Sequence, residues 1–348
     1  MTDVDPDGTV SDDDGASPLA TVDLDDAIHV TEPSEAFQAL GNEIRTSILE
    51  TVRDRSGGAP PDARVSFSTL FEASSVDTTA GFAYHLDELV GPFLEKTDEG
   101  YALTAAGRRV ARAIESGTFT RRVDRADIPI DDPCPFCAGD GLEAMVTDTV
   151  VTIACRECDR PVLKMDFPPG GFAAHGEDIP AAFDRHHRHR IDLLGDGVCP
   201  ECSGRVERAV EVVAPDRLDD AFLDAEGVPD PVQAAFACEH CGYDLQCPVA
   251  HTLLSHPAVV SFFHDHDAAV AARPIWNVGP EWSETPLSHD PIAVRVAVTL
   301  EDETLECYVD GAGDVVETRR VDESREGIEH GGGVETAPPA DRPEADAA

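Results

Sequence analysis

Residues 65–114, VSFSTLFEASSVDTTAGFAYHLDELVGPFLEKTDEGYALTAAGRRVARAI, decide how the N-terminal part of this chain is read. VSFSTLFEAS offers Phe67, Leu70 and Phe71 on a short helical pattern, and SSVD supplies turn chemistry with Asp77 able to cap the next helix. DTTAGFAYHLDELVG then places Phe82, Leu86 and Leu89 on one face of that helix. FLEKTDEGYALT gives two short extended runs around Asp98, Glu99 and Gly100, the pattern of a hairpin. TAAGRRVARAI closes the stretch as a helix that Thr104 can cap and whose exposed face carries Arg108, Arg109 and Arg112. Upstream, SEAFQALGNEIRTSILETVRD repeats Phe37, Leu40, Ile44, Ile48 and Val52 at spacings of three and four, with Ser34 a candidate N-cap and Gly41 a break; a Gly/Pro loop, 56–62, comes after it.

A short helix, a tight polar turn and a second helix let the later helix enter the major groove of a duplex, with its early exposed residues at the base edges. With the hairpin as wing, the order is that of a winged helix-turn-helix. The residues expected to face bases are Thr78, Thr79, Tyr84 and His85; Lys96, at the wing's edge, Arg108 and Arg109 are expected to face the phosphate backbone. The competing reading gives the same fold to protein contacts.

The wording of these residues carries a resemblance. FQALGNEIRTSILETV resembles the opening of ArsR-type winged-helix regulators, and YHLDELVGPFLEKTDEGYALTAAGRRV resembles the reading helix, wing and final helix of haloarchaeal members of that superfamily. It covers 34–117 and implies a dimeric transcriptional regulator. The metal-sensing branch carries paired cysteines on its second or third helices, whereas STLFEASS has none, so the resemblance implies no heavy-metal sensing there. Relatives tend to place polar or basic residues in mid-helix, where this chain has Gly81, Phe82 and Ala83.

The chain has 69 acidic against 26 basic residues, a net charge of −43, and its lysines are Lys96 and Lys164. That acid excess resembles cytoplasmic proteins of salt-in halophilic archaea, where molar salt shortens the Debye length to about 3 Å. Counterion release, the usual source of DNA affinity, fades as salt rises, so a binder in such a cell leans on base contacts, shape and dimer geometry. An acidic nucleic-acid mimic is a further reading of the same charge. The 348 residues suggest two or three domains. No apolar stretch approaches the roughly 20 residues that span a bilayer and no signal pattern opens the chain, so a cytoplasmic protein is expected.

Eight of the ten cysteines form four C-x-x-C pairs: Cys134/Cys137, Cys155/Cys158, Cys199/Cys202 and Cys238/Cys241. Two intervening residues let both thiolates of a knuckle face one ion, and two knuckles complete the four-sulfur shell that zinc prefers. Between CPFC and CREC lie 17 residues, 138–154, with EAMVTDTVVTIA reading as a hairpin; between CPEC and CEHC lie 35, 203–237, with RVERAVEVV and VQAAFA as strands around an insertion, APDRLDDAFLDAEGVPDP. Both sets read as zinc ribbons holding structural ions, closed to water and hence to hydrolysis. Disulfides, iron–sulfur ligation and redox C-x-x-C chemistry are the competing readings. Cys247 and Cys307 are expected as buried small hydrophobes, with Cys247 near enough to the last knuckle to substitute for a ligand.

DRHHRHR, 184–190, lies on a helical pattern with Phe183, Ile191 and Leu194 as its core stripe; His186, His187 and His189 could bind metal or phosphate, but a solvated polar face is the expectation. Arg121, Arg122 and Arg125 could contact phosphate or balance acids. PAVVSFFHDHDAAVAA reads as a helix, with His264 and His266 beside Asp265 and Asp267 at a polar end. IAVRVAVTLEDETLECYVDGAGDVVETRR reads as a three-strand meander, and Trp276 and Trp282 as packing residues. The expected organisation is α+β: a disordered acidic tail, 1–33; a winged helix-turn-helix domain, 34–118; a first zinc ribbon, 128–170; a linking helix, 178–195; a second zinc ribbon, 196–248; a helix and β-meander, 249–320; and a second disordered acidic tail, 321–348. The function expected is a non-enzymatic, DNA-binding regulator acting as a homodimer with two structural zinc ions. The alternatives are a zinc-ribbon adaptor of the transcription machinery without sequence-specific DNA binding, and an enzyme whose site, gathering His251, His256 and His264, lies in the C-terminal region.

Overall fold

The computed structural model describes residues 32–56, 64–212 and 232–322; the expected tails, apart from their inner ends, the loop 57–63 and the insertion 214–231 lie outside them. The fold is α+β, and the chain divides into two compact units, Met1–Thr120 and Arg121–Ala348.

The first unit runs α1 (Pro33–Leu40), α2 (Glu43–Ser56), α3 (Phe67–Ala73), α4 (Thr79–Asp87), β1 (Leu94–Thr97), β2 (Gly100–Leu103) and α5 (Ala105–Ser116), the order expected of a winged helix-turn-helix. Its core gathers Ile48, Leu49, Val52, Leu70, Phe82, Leu86, Leu89, Leu94 and Ala111. Phe82 meets Phe67 and Phe71 at centroid distances of 5.4 and 5.5 Å, which locks α3 against α4. The hairpin pairs Leu94 with Leu103 and Thr97 with Gly100, and Val65 adds a bridge to Tyr101. Thr104 caps α5 through Gly107 N–H (3.0 Å), as its sequence suggested.

Three local expectations are corrected. Phe37 is 74% exposed, α1 burying Ala39 instead; the buried stripe of α2 is Arg45, Ile48, Leu49 and Val52. The residue before α1 is Glu32, with Ser34 already inside the helix, and the side-chain cap comes one helix later, where Asn42 Oδ1 accepts from Ile44 N–H (2.9 Å). Thr78, not Asp77, caps α4, its hydroxyl accepting from Gly81 N–H (3.2 Å).

The second unit holds three antiparallel sheets. The first comprises β3 (Arg125–Pro129), β4 (Leu142–Thr147), β5 (Val150–Cys155) and β6 (Pro161–Asp166), so four strands stand where the sequence suggested one hairpin. After α6 (Pro169–His175) and α7 (Ile179–Gly195) comes a three-stranded sheet of β7 (Val206–Val212), β8 (Val232–Cys238) and β9 (Asp244–Cys247). Helix α8 (Pro257–Asp265) leads to a sheet of β10 (Trp282–His289), β11 (Ile292–Leu300), β12 (Glu303–Asp310) and β13 (Val315–Asp322), one strand more than the expected meander. β13 reaches Asp322, past the start of the expected tail.

These pieces are not beads on a string. A single core joins the first ribbon's Leu142, Val146 and Ile153 to Phe183 of α7, Phe262 of α8, Trp276, and Val294, Val296 and Leu305 of the last sheet. The second ribbon adds its own cluster around Cys199, Val206, Phe236 and Cys247, closed by Ile191 and Leu194 of α7.

Candidate functional site

Each cysteine set converges. In the first, Cys134 and Cys158 Sγ lie 3.8 Å apart and Cys137 and Cys155 Sγ 3.7 Å; in the second, Cys199 and Cys241 lie 3.7 Å and Cys202 and Cys238 3.5 Å. Within each set all four sulfurs are within 4.8 Å of one another, close enough to hold one metal ion per set.

The two centres are built alike. Cys134 N–H donates to Gly139 O (2.8 Å) and Ala138 N–H to Cys134 O (2.9 Å); the counterparts are Cys199 N–H to Gly204 O (2.9 Å) and Ser203 N–H to Cys199 O (2.9 Å). Cys155 N–H donates to Arg160 O (3.0 Å), and Cys238 N–H to Tyr243 O (2.8 Å). The residue after each second cysteine is left-handed: Ala138 (φ 56°), Asp159 (φ 54°), Ser203 (φ 61°) and Gly242 (φ 75°). That turn swings the chain back so both sulfurs of a knuckle face inward; only Gly242 advertises it in the sequence. Within the second set the thiols pull apart: hydrogen bonds led by the Cys241 N–H hold Cys238 down at about 6, whereas at Cys202 the Gly204 N–H is outweighed by burial and the neighbouring sulfurs, which push it up to about 12, so binding a metal to all four displaces protons.

The remaining thiols stay outside these sets. Burial pushes Cys247 up to about 12 and Cys307 to about 11, so both sit protonated in apolar surroundings, as expected of small hydrophobes. Among the described residues no histidine joins a metal-competent group. The DRHHRHR segment is the solvated face expected only at Arg185 and His189, which are exposed. His187 is fully buried, and Asp184 is enclosed, accepting from Arg188 (3.1 Å) and from Ile275 N–H (2.8 Å), while Arg188 also donates to Arg273 O. Arg190 pairs with Glu201 and lies 5.0 Å from the Tyr243 ring, fastening α7 to the second ribbon.

His251, His256 and His264 do not gather. His251 bonds Ile275 O (2.8 Å), His256 caps α8 through Ala258 N–H (3.3 Å), and His264 lies in the last turn of α8. A cleft of about 420 Å³ between β7, the end of α7, the start of α8 and the β12–β13 turn is lined by His256, Asp192 and Arg208, but its polar groups serve one another: Ser255 donates to Asp192 (2.8 Å), and Arg208 to Gly195 O (2.8 Å) and Asp314 (3.1 Å).

In the first unit, Phe82, Leu86 and Leu89 face the core and leave Thr78, Thr79 and Tyr84 exposed; His85 is half-buried with Nδ1 enclosed. Lys96 is exposed, 3.8 Å from Asp87. Arg108 is spent on Leu103 O (2.7 Å), whereas Arg109 and Arg112 are exposed and no carboxylate among the described residues pairs with them. Sequence reasoning passed over Arg45. Its Nη1 donates to Gln38 O (3.3 Å) and Ala39 O (3.2 Å), pairs with Glu88 (3.4 Å), and its guanidinium lies 5.8 Å from the Tyr84 ring centre. The signal was there: Arg45, Leu49 and Val52 share one helical stripe, so a charge had been placed among core positions.

Residues 131–315 match the family described as "Domain of unknown function (DUF7351)", more than half of the 348 residues, so the chain belongs to that family. Residues 33–114 match a second, "Domain of unknown function (DUF7347)". The first match spans both cysteine centres, and the second begins with α1 and ends in α5. No curated protein matches the chain, and no solved structure does.

Proposed function

We propose that the protein is a DNA-binding transcriptional regulator of the ArsR-like winged-helix type, acting as a homodimer, whose second unit is organised by two structural zinc ions. The observation that carries this reading is the outward face of α4: a short α3, a polar turn, and a following helix whose first turn and Tyr84 are open to a partner while Phe82 and Leu86 anchor it beneath. That is the presentation a major groove requires. Thr79 and Tyr84 are the main base-facing side chains; Thr78 spends its hydroxyl on the helix cap, and His85 contributes its outer edge. Lys96 on the wing and Arg109 on α5 reach for phosphate, with Arg108 held back by its bond to Leu103 O.

For the metal, a tetrahedral shell with Zn–S about 2.3 Å has sulfur–sulfur edges of about 3.8 Å, and the separations of 3.5 to 3.8 Å fit that shell. Four thiolates leave no position for water, so each ion would hold strands and knuckles together. The C-terminal unit then offers dimer, effector or partner surface.

A second reading, an adaptor that binds proteins of the transcription machinery, is favoured by one feature: Asp87, Glu88, Glu95, Asp98 and Glu99 are all exposed around α4 and the wing. Mapping of bound genomic DNA in molar KCl separates the two. A regulator enriches a defined set of promoters and loses them in a Tyr84→Ala variant; enrichment of no particular DNA by the intact protein leaves the adaptor.

A further inference from the structure

One buried guanidinium joins the ends of two helices in the first unit. Arg45 is 7% exposed, and its Nη1 serves the terminal carbonyls of α1 at Gln38 and Ala39 while pairing with Glu88, the residue that ends α4. Helix C-termini carry unpaired carbonyls and partial negative charge, so the cation satisfies two carbonyls at the end of α1, while at the end of α4 it neutralises the Glu88 carboxylate. The same guanidinium lies under the Tyr84 ring, and its Nε is enclosed without a hydrogen-bond partner. Burying that nitrogen opposes folding, so the contacts Arg45 does make, to α1, to Glu88 and to Tyr84, are what hold it there.

We infer that Arg45 is a positioning residue for α4: it sets the helix's angle against α1 and holds Tyr84 outward, and it thereby governs which bases the helix reads. The inference rests on the DNA-binding reading for its functional half and on geometry alone for its structural half. All three polar contacts are made by Nη1, so what lysine loses is the flat face against the Tyr84 ring and the longer reach that lets one nitrogen meet α1 and Glu88 while that face lies against the ring.

The test uses the full chain in molar KCl, as wild type, Arg45→Lys and Glu88→Gln. Hydrogen exchange reads the structural half. Exchange at the end of α4, at Glu88 and Leu89, is expected to quicken about tenfold in both variants, with the α2 amides of Leu49 and Val52 unchanged; equal change in both helices, or none, overturns the inference. Selection from random duplexes reads the functional half. Both variants are expected to lose about tenfold in affinity for the wild-type site while non-specific affinity holds. Parallel loss of specific and non-specific binding overturns positioning. A wild type that selects no sequence overturns the DNA-binding reading instead, and is recognised by the exchange result standing without it.

Discussion

His187 is wholly enclosed on α7, 4.4 Å from the Phe183 ring and 4.9 Å from His186, and the polar group its ring approaches is the Asp166 backbone, outside good hydrogen-bond geometry. Burial first, then the His186 and Arg190 charges, push its pKa down to about 3, with the Asp166 backbone offsetting a little. Because the unfolded chain keeps a value near 6.5, protons bind the unfolded state first. The stability linked to this group is complete above about pH 6.5 and is lost as pH falls towards about 3. Burial lowers His251 likewise, to about 4. His187→Leu removes a poorly hydrogen-bonded buried ring, and is expected to leave neutral stability unchanged or raised by up to about 2 kcal/mol, while moving acid unfolding to lower pH. An unchanged acid midpoint at fixed KCl would rule out His187 as the titrating group. The position was legible: Phe183, His187 and Ile191 recur every four residues, and the polar wording of DRHHRHR outweighed the spacing.

Where two elements touch at backbone distance, a single glycine decides whether they can. A Cβ on Gly107 would stand 2.1 Å from Phe93 O, so α5 packs on the turn before β1 only because that position has no side chain. Gly107→Ala is expected to cost the first unit about 2–3 kcal/mol in urea unfolding, with the second unit untouched; an unaltered midpoint would mean that the turn yields freely. Helix caps were partly legible for a related reason. Thr104 stood alone before its helix and was read correctly, while at α4 Asp77 was read as the cap and the extended backbone of Thr78, one residue on, makes that residue the cap instead.

Across the molecule, the two metal centres differ in what they support. Cys134 and Cys155 belong to the core that also holds α8 and the last sheet, whereas Cys199 and Cys238 belong to the smaller cluster of the second ribbon. Two zinc equivalents per chain are expected on release by a mercurial thiol reagent. Cys134→Ser should lower the melting of the whole second unit, and Cys199→Ser should mainly expose β7–β9 to exchange. The first unit, whose core contains no cysteine, should melt as before in both. Equal damage to the second unit from either variant, or a single zinc equivalent, would break this division.

Helical periodicity, cap chemistry and the bite of C-x-x-C act over a few residues, so reading along the chain reached the order of the first unit and the two sulfur shells. Periodicity says that a face is covered but not by what, since burial is non-directional. The merging of the first ribbon with the last sheet, the enclosure of Asp184 and His187, and the reach of Arg45 from α1 to Tyr84 were therefore settled only in three dimensions. Contacts such as Trp276 Nε1 to Asp132 (2.9 Å), 144 residues apart, carry that decision, and no local pattern records them.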